Sequence, residues 1–101
     1  MKKRIRKKKG LSKITNQEVY SLNITLAKFI LPRIIKFKEL ADSYPSQLNS
    51  IEEWHYILDQ IIWSLDKHIK DDLSSKTTEN EINKYNNGMM LFAKYFADLW
   101  I

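Results

Sequence analysis

Three stretches of this chain repeat apolar residues at intervals of three and four, and two of them open on a capping signature, a combination that dictates helices and leaves no room for a sheet. In the first stretch Leu22, Leu26, Phe29, Ile30, Ile34, Phe37, Leu40 and Ala41 form one stripe, with Lys28, Arg33, Lys36, Lys38 and Glu39 largely off it, from about Ser21 to Ala41. Pro32 interrupts this stretch by removing the hydrogen bond to the carbonyl of Lys28, a defect of ~3 kcal/mol in an exposed helix, yet the apolar phase continues across it. The expectation is a helix kinked at the proline, or two abutting ones. The second stretch opens with Ser50-Ile-Glu-Glu53, where the serine hydroxyl can accept the Glu53 amide and the Glu53 carboxylate can return to the Ser50 amide. Trp54, Leu58, Ile61, Ile62, Leu65 and Ile69 then hold one face to about Asp72. The third opens with Thr78-Glu-Asn-Glu81 and carries Ile82, Tyr85, Met89, Phe92, Phe96 and Leu99. Gly88 lies inside it, costing roughly 0.5 to 1 kcal/mol against alanine but permitting close approach by a neighbouring backbone.

The connections are short, at 42–49 and 73–77, so successive helices should run antiparallel. The expected fold is all-α: a compact up-down-up three-helix bundle that buries Leu26, Phe29, Ile30, Leu58, Ile61, Ile62, Leu65, Met89, Phe92 and Phe96 together, with Trp63 at its edge and Trp100 closing it. Residues 11–20 admit two readings, an early start of the first helix or a short helix of their own capped by Thr15 or Asn16. Ile35, Ile57, Leu73, Leu91 and Ile101 fall beside the stripes, more apolar surface than one small core hides, which makes a homodimer a partner to consider.

Charge divides the chain differently. Lys2, Lys3, Arg4, Arg6, Lys7, Lys8 and Lys9 crowd into the first ten residues; removing those seven charges from a chain of net +5 leaves a body of −2. The reading is a flexible, disordered basic arm over 1–10 and one helical domain over 11–101. Cations at this density repel one another and suit a polyanion, so nucleic acid or a nucleoprotein complex is the expected partner of the arm. A lysine-rich start that serves only solubility is the plainer alternative. An anionic membrane surface ranks below both: no apolar run approaches the ~20 residues of a span, and neither a lipidation signal nor a secretory signal is evident. The chain has no cysteine, which excludes disulfides and thiolate metal sites and is compatible with a cytoplasmic location.

Leu26-Ala-Lys-Phe-Ile-Leu-Pro-Arg33, Glu53-Trp-His-Tyr-Ile-Leu-Asp-Gln-Ile-Ile-Trp63 and Leu91-Phe-Ala-Lys-Tyr-Phe-Ala-Asp-Leu-Trp100 together resemble small uncharacterised helical proteins encoded by tailed bacteriophages. The resemblance covers most of the body through aromatic and aliphatic patterns. It implies a phage or prophage origin, a bacterial cytoplasm, and a small role in host takeover, DNA handling or counter-defence. It carries over no functional residue.

Chemistry-bearing motifs are scarce. Gly10 and Gly88 are the only glycines, so no glycine-rich phosphate loop exists, and no cofactor is expected. His55 with Asp59 and His68 with Asp72 stand four apart on the second helix, where a carboxylate can orient an imidazole, but two ligands do not make a metal site, and such pairs ordinarily line a solvated face. Asp66, Asp71 and Asp72 are likewise read as a solvated helix end and not as an acid/base cluster. Helical spacing assigns Phe92, Phe96 and Trp63 to the core; Tyr56 and Tyr95 fall off the stripes and are the better stacking candidates. Lys28, Arg33 and Lys36 sit on the outer side of the first helix and can extend the arm's field. The functional expectation is a non-enzymatic binding module with no catalytic or metal residues, docking on a protein or nucleoprotein while Lys2, Lys3, Arg4, Arg6, Lys7, Lys8, Lys9, Lys28, Arg33 and Lys36 contact phosphates. The alternative is an effector that inhibits a host or defence protein through one bundle face, with the arm incidental.

Overall fold

The computed structural model describes residues 11–70 and 77–101, and within them the chain is all-helical. A 3-10 turn at Leu11–Lys13 leads into α1 (Asn16–Tyr20), followed by α2 (Leu22–Leu40), α3 (Ile51–Ile69), α4 (Glu79–Tyr95) and a closing 3-10 turn at Phe96–Asp98. Residues 1–10 and Leu73 lie outside the described residues.

Capping side chains fix the helix starts. Thr15 begins α1 with a reciprocal box: its backbone amide donates to the Glu18 carboxylate at 2.5 Å while its hydroxyl accepts the Glu18 amide at 3.4 Å. Residues 11–20 thus form a short helix of their own. At α3 the Ser50 hydroxyl accepts the Glu53 amide at 3.1 Å, but the Glu53 carboxylate takes the amide of Asn49, at 3.0 Å, instead of that of Ser50. Thr78 caps α4 by accepting the Glu81 amide at 3.2 Å, and the Glu81 carboxylate reaches across to Lys67 on α3, at 2.8 Å. Pro32 lies within α2, which continues as one helix from Leu22 to Leu40 although the proline leaves the Lys28 carbonyl without its helical donor. The Arg33 guanidinium donates to the carbonyl of Phe29 at 2.8 Å, one carbonyl along from the one the proline cannot serve.

Helix α3 is central. It buries Trp54, Ile57, Leu58, Ile61, Ser64 and Leu65, which is more than one stripe, because it packs against α2 on one side and α4 on the other. Asn23 reaches His68 and Lys38 reaches Asp59, so α2 runs antiparallel to α3; Lys67 reaches Glu81 and Gln60 reaches Asn87, so α4 does too. Helices α2 and α4 are therefore parallel to each other. The Phe37, Trp54 and Tyr95 rings join all three at one end, edge to face at 6.2 Å and tilted at 5.5 Å. Trp54, Leu58 and Ile61 are fully buried, each contributing ~1.5 to 3 kcal/mol of transfer energy. Gly88 brings α4 onto α3 closely enough for the buried Ser64 hydroxyl to donate to the Tyr85 carbonyl at 3.1 Å.

The expected closed core does not form in full. Leu58, Ile61 and Leu65 are buried and Ile30, Ile62, Met89 and Phe92 half-buried, but Leu26, Phe29 and Phe96 remain 57%, 56% and 62% exposed. Helices α2 and α4 do not touch, and among the described residues nothing covers these three side chains. Trp100 is exposed as well and closes nothing. In the opposite sense Ile57 and Tyr95, placed off the stripes, are buried, since the side of α3 facing α4 needs its own apolar surface.

Candidate docking groove

Two parallel helices held apart on a third leave a groove between them. Its volume is about 400 Å³. Leu26, Phe29 and Ile30 form the α2 lip, Met89 and Phe92 of α4 with Phe96 of the closing turn form the other, and Ala27 and Leu65 lie at the floor. Phe92 and Phe96 meet edge to face at 5.7 Å. Among the described residues no Asp, Glu, Lys or Arg lines the groove, and Asn23 and His68 are its only polar lining residues.

Those two residues belong to a polar relay at one end. The Asn23 amide nitrogen stands 2.8 Å from Nε2 of His68, and Nδ1 of the same ring stands 2.7 Å from the Tyr85 hydroxyl. With the amide as donor, the neutral imidazole accepts at Nε2, holds its proton on Nδ1 and donates to the Tyr85 oxygen. Burial pushes the Tyr85 phenol above its ordinary 10.0. The relay ties α2, α3 and α4 together where the groove begins and leaves none of its three side chains poised as a nucleophile or free base.

At the other end the α2 lip turns basic. Arg33 follows Leu26 by seven and Phe29 by four, on the same face, and its guanidinium lies 3.8 Å over the Phe29 ring. Lys36 is about 60° further round the helix and Lys28 about 140° from Arg33. All three are exposed, and among the described residues none has a carboxylate within ion-pair distance, whereas Lys38 is paired with Asp59 at 2.6 Å. The three cations named from the sequence thus form a spread basic ridge on α2. Lys2, Lys3, Arg4, Arg6, Lys7, Lys8 and Lys9 lie outside the described residues.

The other sequence candidates separate. Asp59 pairs with Lys38 and not with His55, whose Nε2 is buried with no hydrogen-bond partner among the described residues. His68 is engaged in the relay, and Asp71 and Asp72 lie outside the described residues. Asp66 forms an ion pair with Lys70 at 2.8 Å, and no group of three metal-ligating side chains occurs among the described residues. Lys67 holds the Glu81 carboxyl below its ordinary 4.5, first through its hydrogen bond and then through its charge. Tyr56 is exposed as expected, but Tyr95 is buried against Trp54 and is withdrawn as a stacking platform. Trp63 is half-buried under the Lys84 ammonium at 4.2 Å. No helix among the described residues is long and apolar enough to cross a membrane.

Compared with protein-family models, with curated proteins and with solved structures, the chain matches none. Leu26, Phe29 and Phe96, whose helical spacing assigns them to the core, instead line the groove with more than half of their surface exposed.

Proposed function

We propose that this chain is a small non-enzymatic helical binding module, phage-encoded, that seats a helical segment of a partner protein in the groove between α2 and α4 while the cations of residues 1–10 contact nucleic-acid phosphates. The observation that carries the reading is the exposure of Leu26, Phe29 and Phe96 along one uncharged groove. Exposed apolar patches of this kind mark interaction sites when they are contiguous, and a groove between helices suits an amphipathic helix. Three long helices arranged as an open bundle, with a bend of α2 at Pro32 between its groove-lining half and its Trp54-packed half, belong to the same reading. The basic ridge of Lys28, Arg33 and Lys36 supports a polyanionic or acidic partner, and the phage resemblance sets it in a bacterial host.

Capture of partners from bacterial lysate, with and without nuclease, tests both halves. Wild type, a Leu26→Asp variant and a chain lacking residues 2–9 are compared. The groove half predicts a protein whose capture is lost with Leu26→Asp; the arm half predicts a nuclease-sensitive fraction lost with the truncation. Nuclease-resistant capture of one protein, unaffected by the truncation, would point to an effector with an incidental arm. Equal capture by all three chains would remove the groove as well.

A further inference from the structure

We infer that the groove's occupant is an acidic amphipathic helix, lying antiparallel to α2 and α4, whose carboxylates cluster in its N-terminal half beside Arg33. The inference rests on the groove being the docking surface. Helices α2 and α4 flank α3 with their facing sides unjoined, as in a four-helix bundle lacking one member. A fourth helix over the gap would bury the Leu26, Phe29 and Phe96 side chains that α3 cannot reach. A fourth helix that continues the alternation of α2, α3 and α4 runs antiparallel to both of its neighbours, which places its N-terminus at the Arg33 end.

Charge then selects its chemistry. Among the described residues the groove lining carries no Asp, Glu, Lys or Arg, so the discriminating contacts are at its lips. The α4 side offers Met89, Phe92 and Phe96, all neutral, while the α2 side offers Arg33 and beyond it Lys36, neither within ion-pair distance of a carboxylate among the described residues. Carboxylates on the first turns of the incoming helix would meet Arg33 and also favour that helix's own positive end. A second copy of this chain fits less well: α2 carries four cations against one anion, and pairing it with another α2 would oppose like charges.

The probes are three fluorescein-labelled synthetic helices of about 18 residues, close to the length of α2, with one shared leucine stripe. One carries glutamates in its N-terminal half, one in its C-terminal half, and one replaces glutamate by lysine. Anisotropy titration at low salt should rank the N-terminal-glutamate probe tightest and the lysine probe weakest. Arg33→Glu should weaken the tightest probe by roughly threefold or more and narrow the ranking. Leu26→Asp, at an exposed position, should abolish binding of all three with helicity intact. Equal affinity of the lysine probe, or a ranking unmoved by Arg33→Glu, would overturn the acidic assignment. Failure of every probe while Leu26→Asp still removes lysate capture would overturn this inference and leave the groove. A concentration-dependent dimer in sedimentation, dissolved by Leu26→Asp, would instead give the groove to a second copy.

Discussion

Replacing Gly88 by alanine sets a local preference against tertiary packing. In an isolated helix the change stabilises by roughly 0.5 to 1 kcal/mol, because glycine loses more backbone freedom on ordering. Here a Cβ at position 88 would overlap the Ser64 hydroxyl outright and stand 2.6 Å from the Gln60 carbonyl oxygen and 2.7 Å from Ser64 Cβ. Displacing the Ser64 hydroxyl breaks its bond to the Tyr85 carbonyl, and a buried donor so left unmatched costs ~1 to 3 kcal/mol. Pushing α4 off the Gln60 carbonyl adds overpacking of ~1 to 3 kcal/mol. The propensity gain cannot offset both, and Gly88→Ala should lose about 2 to 4 kcal/mol net. Urea unfolding followed by far-UV circular dichroism should show an unchanged slope and a midpoint lower by about 1 to 2 M. Adding Ser64→Ala should recover only part of the loss, since the Gln60 carbonyl remains in the way. A Gly88→Ala protein as stable as wild type would refute the close α3–α4 approach.

Three further outcomes are expected. Glu81 has a carboxyl held below 4.5 by Lys67, so its contribution is present above that value and lost as pH falls through the lowered one; the stability difference between wild type and Glu81→Gln should shrink below about pH 4.5, read from urea midpoints across pH 3 to 7. Ser50→Ala removes the α3 cap bond and should cost ~1 kcal/mol by the same assay, against nearly nothing for alanine at the exposed Ser46. Deleting residues 2–9 should weaken binding to single- or double-stranded DNA evenly across sequences and lower the log–log salt slope by ~0.7 to 0.9 for each phosphate the arm no longer neutralises, whereas undiminished binding would shift the interaction to Lys28, Arg33 and Lys36.

The helices were legible because their signals are local. Thr15, Ser50 and Thr78 each place a side-chain oxygen three residues before the amide it accepts, and apolar periodicity follows at once. The cores of the stripes were legible for the same reason, as Leu58, Ile61 and Leu65 show. Which edge of a stripe faces a neighbour is not local information. Leu26 and Phe29 lie on the flank of the face that carries Ala27 and Ile34, and only the separation of α2 from α4 decides that this flank stays open. Tyr95 was within reach: it stands seven residues from Gly88, hence on the same helix face, and a glycine used for close approach marks that face as the one against α3. The His68 relay was out of reach, because His68, Asn23 and Tyr85 come from three helices and share no spacing rule.

A partner can enter the groove only if it is open in the free protein. Phe29→Ala with Phe96→Ala is the direct probe, set beside Ile61→Ala, in urea unfolding at two protein concentrations. Ile61 is fully buried and its truncation should cost ~2 to 5 kcal/mol. The double phenylalanine variant removes mostly exposed rings and should stay within about 1 kcal/mol of wild type at both concentrations. A loss for the double variant equal to or greater than that of Ile61→Ala would mean that both rings are buried in solution and that the groove between α2 and α4 is closed.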